Sequence, residues 1–301
     1  MSALKRAAPA WQLTLLLLAV LAASGASALD LVHSERSLYR QVLVYEANGT
    51  RYLCFTRNCT IGRQSALELQ HPERLIFEYT QLMMGALFMG SQPGNILVIG
   101  LGGGSLPRAL ATALPQAHID VVEIDPAVVR VARQYFSFMP VGNTRVFEED
   151  GRAYVKRAVR AGKRYNLIML DAYDHEYIPE HMLTREFLSE VRALLTPTGV
   201  VAANTFSSSK LYDSESVTYR AVFGSFYNLR SANRIILASN GVLPALSAVQ
   251  QAAAGNDQLL RRFDVDAASV ARRFTTAVDW RPDARVLTDQ YSPANLLNSS
   301  R

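Results

Sequence analysis

Residues 95–126, NILVIGLGGGSLPRALATALPQAHIDVVEIDP, decide the fold. The stretch opens with an apolar, β-branched run at 96–99, the composition of a strand buried on both faces. Glycines follow at Gly100, Gly102, Gly103 and Gly104. A helix-compatible segment at 108–114 comes next, then a second β-rich run at 119–122 that ends in Glu123-Ile124-Asp125-Pro126. Strand, glycine turn, helix, strand and acid make one βαβ unit. Its turn lets the backbone approach a bound nucleoside where a Cβ would stand in the way. Glu123 lies 23 residues after Gly100, close to the ~20-residue spacing at which a carboxylate reaches ribose hydroxyls from the end of the second strand. The glycines alone also fit a plain strand-to-helix turn; the spaced acid favours a nucleoside pocket. Phosphate cradling is not required, so the ligand stays open at this point.

Downstream the alternation continues. The spacing predicts a helix at 128–136, a strand at 144–147 ending in Glu149-Asp150-Gly151, and a helix at 152–161. A very apolar strand at 165–170 ends in Asp171-Ala172-Tyr173-Asp174. A helix at 184–195, with Thr184 as its cap, leads through Pro197-Thr198-Gly199 to a strand at 200–204. Units of this kind build a parallel sheet with helices on both faces, and ligands then sit beyond the carboxyl ends of the strands. That rim collects Gly100 to Ser105, Glu123, Asp150 and Asp171. Beyond it we expect a helix at 212–226, a strand at 234–238, a long helix at 249–274 broken near Gly255, and a terminal strand and turn at 287–293. Upstream, 34–64 reads as a small antiparallel unit around the hairpin signal Asn48-Gly49. The segment 72–89 is apolar at helical spacing, with Met83 and Met84 as core.

The 301 residues are 49% hydrophobic and 19% charged, which excludes a disordered chain and allows one large or two modest domains. The formal charge of +5 comes without a dense Lys/Arg run interleaved with aromatics, so no nucleic-acid partner is expected. Residues 1–28 read as a targeting segment: Lys5 and Arg6, an apolar run at 11–23, then Ala26-Ser27-Ala28 as a cleavage site. The run is short for a span of roughly 20 residues. A removed signal peptide is therefore favoured over a membrane anchor, the single membrane contact expected and only if the segment is uncleaved. Either way the remainder is exported, periplasmic or otherwise extracytoplasmic. Cys54 and Cys59, an even pair in an exported chain, are expected to form a disulfide closing a small loop. With only two cysteines and five scattered histidines, no metal is expected. The organisation expected is 1–28 as signal or anchor, 29–70 as a small β domain, and 71–301 as the nucleoside-binding catalytic domain.

Gly102-Gly103-Gly104, then Val122-Glu123-Ile124-Asp125-Pro126, Asp150-Gly151, Asp171-x-x-Asp174 and Leu183-Thr184-Arg185-Glu186-Phe187 resemble, in order and spacing, the spermidine synthase family of aminopropyltransferases. The motifs span about 95–206; Gln64 fits the family's N-terminal β unit less specifically. The resemblance implies an α/β fold, a Rossmann-like, methyltransferase-type doubly wound sheet behind a small β-hairpin domain. It also implies decarboxylated S-adenosylmethionine as donor, a diamine such as putrescine as acceptor, and a homodimer. By motif, Gly100, Gly102, Gly103, Gly104, Ser105, Asp150, Gly151 and Gln64 would line the donor. Glu123 would hold its ribose and Asp150 its adenine amino group. Asp171 and Asp174, with Tyr79, would take the acceptor. The chemistry asks for such acids independently: an amine is protonated at neutral pH, and a carboxylate can bind the ammonium and take its proton. Asp171 is cast as base and Asp174 as a second ammonium anchor.

Four positions depart from the family pattern. Ser105 stands where synthases carry the Asp that pairs with the donor's aminopropyl ammonium. Tyr39-Arg40 replaces Tyr-Gln, Tyr79-Thr80 replaces Tyr-His, and Asp174-His175 replaces Asp-Pro. Serine tolerates the carboxylate of ordinary S-adenosylmethionine, which an aspartate would repel. Three readings stay open: an aminopropyltransferase, a methyltransferase using S-adenosylmethionine on a small molecule, and an exported binding protein for a nucleoside or polyamine without turnover.

Overall fold

The computed structural model describes residues 29–60, 62–90, 92–172 and 179–293. The expectations for the leading segment 1–28 and for Asp174 lie outside the described residues.

Four strands come first: β1 (Asp30–Arg36), β2 (Gln41–Ala47), β3 (Thr50–Cys54) and β4 (Arg63–Glu68), an antiparallel sheet in chain order. Asn48 and Gly49 both carry positive φ, +51° and +72°, the turn geometry that matches the twist of a two-residue hairpin. Strand pairing begins at Asp30, four residues before the expected start. Cys54 and Cys59, both buried, are bridged with Cα atoms 5.6 Å apart.

The rest alternates: α1 (Glu78–Met83), β5 (Asn95–Ile99), α2 (Ser105–Ala113), β6 (His118–Glu123), α3 (Pro126–Tyr135), β7 (Thr144–Glu148), α4 (Gly151–Arg160), β8 (Tyr165–Leu170), α5 (Arg185–Leu194), β9 (Leu195–Phe206), α6 (Tyr212–Phe223), β10 (Tyr227–Arg230), β11 (Asn233–Ser239), α7 (Leu246–Arg261) and α8 (Ala267–Arg272). The strands form one sheet in the order β10-β11-β9-β8-β5-β6-β7. This is the Rossmann-like, methyltransferase-type arrangement. Alternate residues of β5 enter opposite cores: Ile96 and Val98 one, Leu97 and Ile99 the other. That division explains why the strand reads as a continuous apolar run. The small sheet docks Val42, Val44, Leu53 and Leu67 on Ala127, Val128 and Val131 of α3 and on Phe136. The chain leaves β5 towards β6 and β7, then returns to β8 on the other side of β5. The switch point therefore lies between the ends of β5 and β8.

Several expectations need correction. The sheet is not wholly parallel: β10, absent from the sequence reading, and β11 run antiparallel. Gly224, at φ +76°, ends α6 early and frees the chain for β10. The helix expected over 72–89 is only α1 plus a 3-10 turn, Met84–Phe88. A Cβ at Gly85 would lie 3.1 Å from Val270 and 3.2 Å from Phe274, so this turn winds tightly against α8 and the Phe274 that follows it. Gly255 does not break the long C-terminal helix. It has open space around it, and a lone glycine costs a helix only ~1 kcal/mol. The break falls after Arg261, where Asp264 takes φ +61° and Asp266 caps α8 through the Ser269 N–H at 2.9 Å. At 287–293 there is a single bridge, Thr288 to Tyr291, in place of a strand.

Candidate functional site

Strand ends β5 and β8 meet at closer range than the glycine motif alone conveys. A Cβ on Gly100, whose φ is +99°, would lie 2.1 Å from the carbonyl oxygen of Asp171. No other residue type fits there. At Gly103 a Cβ would lie 2.9 Å from the Phe136 ring and from Ser65, and the Gly103 N–H donates to Ser65 Oγ at 2.7 Å. The glycines are thus required first by contacts inside the protein. The turn then ends at Gly104, and Ser105 opens α2 half-buried.

Glu123 straps the turn from the neighbouring strand. Its two carboxylate oxygens accept from the backbone N–H groups of Leu101 and Asp125, each at 3.0 Å. Burial raises its pKa, against those two bonds and against the positive field of Arg40. The Arg40 guanidinium stands 4.4 Å from the centre of the Phe55 ring, so the small sheet brings charge to the rim. Asp125 caps α3 through the Ala127 N–H at 2.9 Å and accepts from Ser37 Oγ at 2.6 Å.

Asp150 ends β7 and caps α4, with Oδ1 accepting from the Ala153 N–H at 2.8 Å. His181 Nε2 sits 3.0 Å from its other oxygen, and that bond holds the carboxyl below its ordinary range, against burial. Gly151 follows with no room for a side chain: a Cβ would lie 2.6 Å from Ile99.

Asp171 is strongly perturbed. Burial pushes its carboxyl from an ordinary 3.8 up to about 7, and the Glu123 charge pushes the same way. Hydrogen bonds from Asn204 and Tyr79 oppose both. Asn204 Nδ2 donates to Oδ1 at 2.9 Å, and the Tyr79 hydroxyl donates to Oδ2 at 3.3 Å. Burial and the Asp171 charge raise the Tyr79 phenol well above 10, so it stays protonated and acts as a donor.

The structure therefore brings Gly100 to Ser105, Glu123, Asp171 and Tyr79 to one crevice at the switch point, with Asp150 and Gly151 at the adjoining end of β7. Gln64 is less engaged: its amide donates to the Gly62 carbonyl at 2.8 Å, and its neighbour Ser65 touches the turn instead. Ser65, His181, Asn204 and Asn233 were missed by the sequence reading. Asn204 had a usable signal, as the polar residue closing an apolar strand at the same rim. The other three come from a second sheet, a 3-10 turn and an unforeseen hairpin, and had none.

An arrangement of this kind binds a nucleoside across the glycine turn and holds one desolvated carboxylate where a reacting amine would come. Residues 76–233 match the spermine/spermidine synthase domain. The polyamine aminopropyltransferase of Vibrio vulnificus (strain CMCP6) is 46% identical over 273 residues, covering 89% of this chain and 91% of that one. A probable spermidine synthase from Corynebacterium glutamicum ATCC 13032 superposes with a TM-score of 0.63 at 18% identity, covering 84% and 98% of the two chains. Human methyltransferase-like protein 13, solved in complex with SAH, superposes with a TM-score of 0.53 at 26% identity, covering 71% and 99%.

Proposed function

The chain belongs to the spermine/spermidine synthase family, and on that premise we propose that it is a polyamine aminopropyltransferase acting on a small-molecule amine. The observation that carries this reading is the Asp171 carboxylate, half-buried and desolvated beside the glycine turn at the switch point. With a sulfonium nucleoside across the turn, the acceptor ammonium gives its proton to Asp171. The freed lone pair then forms the N–C bond while the C–S pair returns to sulfur. The products are the extended polyamine, methylthioadenosine and a proton. Holding amine and sulfonium in line supplies much of the rate, and a base poised near neutrality supplies more. Glu123 is assigned to the ribose, Asp150 to the adenine amino group and Tyr79 to the acceptor side.

Decarboxylated S-adenosylmethionine is the proposed donor and putrescine the proposed diamine. Ser105 favours a second reading, in which ordinary S-adenosylmethionine donates a methyl group. The human methyltransferase with the related fold and its SAH supports keeping that reading. The 1–28 segment supports an exported enzyme, anchored only if that segment is retained, and the apposed Cys54 and Cys59 fit an oxidising compartment. A homodimer is proposed from the family alone.

The deciding experiment incubates the chain from Leu29 with putrescine and decarboxylated S-adenosylmethionine, read by mass spectrometry for methylthioadenosine. A parallel reaction with ordinary S-adenosylmethionine is read for adenosylhomocysteine. Methylthioadenosine that depends on putrescine establishes the reading; adenosylhomocysteine alone moves the protein to the methyltransferases.

A further inference from the structure

Asp171 is not held by its first neighbours alone. Asn204 follows Ala203 on β9, and Ala203 pairs with Leu170, so Asn204 stands beside Asp171 at the same level of the sheet. Its Nδ2 donates to Asp171 Oδ1 at 2.9 Å. Its Oδ1 in turn accepts from Asn233 Nδ2 at 3.0 Å. Asn233 opens β11, where its carbonyl closes the hairpin turn by accepting from the Ser231 N–H at 2.7 Å and the Ser231 hydroxyl at 3.2 Å. The two amides form a chain that runs from the hairpin to the acid.

The chain has a direction. An amide presents a donor at one end and an acceptor at the other, and an ionised carboxylate only accepts. A protonated Asp171 could turn its O–H towards Asn204 only if the Asn204 amide flipped. The flip would set the Asn204 NH2 against the Asn233 NH2, two donors face to face. Asn233 thereby opposes the arrangement that suits the neutral acid. Among the described residues, the titratable groups facing Asp171 are Tyr79 from α1, whose hydroxyl donates to the other oxygen, and Glu123 at the end of β6, whose charge acts the other way.

We propose that Asn233, which touches no reacting atom, is a positioning residue: through Asn204 it fixes Asp171 as a hydrogen-bond acceptor, able to take the proton of the incoming ammonium. This deepens the aminopropyl-transfer reading and rests on it for the role of Asp171.

The test measures kcat/KM for putrescine against pH in the wild type, Asn233→Ala and Asn233→Asp. Asn233→Ala should move the acidic limb up by about half a pH unit, and Asn233→Asp, which places an acceptor where the donor stood, by about one unit or more. Above that limb the rates should converge to within about twofold. Asn233→Gln, which keeps a donor, should recover part of the shift. A loss of the same factor at every pH, or an unmoved limb, overturns the proposal. Carbon-13 NMR of aspartate carboxyls, assigned through Asp171→Asn, follows the ionisation of Asp171 without any substrate. A shifted titration in protein that makes no methylthioadenosine keeps the relay and removes the aminopropyl reading. An unshifted titration removes the relay whatever the activity.

Discussion

One sheet of this protein carries two desolvated aspartates, Asp120 buried and Asp171 half-buried, that meet opposite fates. Asp171 follows β8 at the carboxyl rim. Asp120 on β6 is level with Leu97 and Ile168, three residues short of Asp171 along the strand direction. Burial pushes both carboxyls up. At Asp171 the answering hydrogen bonds come, among the described residues, from two neutral donors, and the carboxyl is pushed up to about 7. At Asp120 the hydrogen bonds of Lys163 at 2.7 Å, Tyr165 at 2.6 Å and Tyr154 at 2.7 Å outweigh burial and hold the carboxyl below its ordinary value. Between these two acids the difference is the cation: Lys163 helps to hold Asp120 ionised. Asp120 joins β6, α4 and β8; Asp171 is left with a raised proton affinity.

The sharpest way to break this contrast is Asp171→Asn. It should lower aminopropyl transfer at least about 1,000-fold while donor affinity, read by calorimetry, stays within about threefold. Turnover surviving that change would give the base to another residue.

The same substitution should act on stability with the opposite sign. The folded pKa of Asp171 lies above the ordinary 3.8, so between about pH 4 and 7 the native state binds more protons than the unfolded chain. Stability from this group falls as pH rises through that window. Asp171→Asn should therefore be the more stable protein above pH 7, by on the order of 2 kcal/mol, with the gap closing towards pH 4. Urea unfolding at pH 5 and pH 8 measures it, and a gap equal at both pH values would contradict the assignment.

Lys163→Met tests the other pole. The folded pKa of Asp120 is depressed, so its contribution is present above the ordinary carboxylate range and is lost as pH falls through the folded value. Removing the cation should destabilise the fold by about 1–2 kcal/mol at pH 8, a figure reduced because the Lys163 side chain is 34% exposed. Catalysis by the folded fraction should be untouched. The smallest effect belongs to Tyr165→Phe, which leaves Asp120 with Lys163 and Tyr154 and should cost about 0.5–1 kcal/mol. A larger loss there than at Lys163 would make the phenols, not the ammonium, the reason Asp120 is scaffold.

Neither pole was equally visible beforehand. Asp171 could be placed at the rim because it closes an apolar strand, and a strand end is a local event. Asp120 sits inside a strand reading, and nothing nearby announces that Lys163, 43 positions on, reaches it. The same distinction sorts the rest. The βαβ order, the Asn48-Gly49 hairpin, the Thr184 cap and the rim acids all follow from spacing and local backbone chemistry. The reversed strands β10 and β11, the short α1 and the unbroken Gly255 helix did not. Each depends on what packs there or on how little an unpacked glycine costs.

By itself the sequence determined the doubly wound fold, the nucleoside crevice and the acids along it, because periodicity and turn residues act over a few positions. Tertiary structure alone decided that Gly100 is demanded by the Asp171 carbonyl, that Ser65 reaches the turn from a second sheet, and that Asn204 and Asn233 stand behind Asp171. Those facts depend on which strands become neighbours and on how much water is excluded between them. Desolvation, which brings Asp171 to about 7, is a property of the packed assembly and of no single stretch of chain.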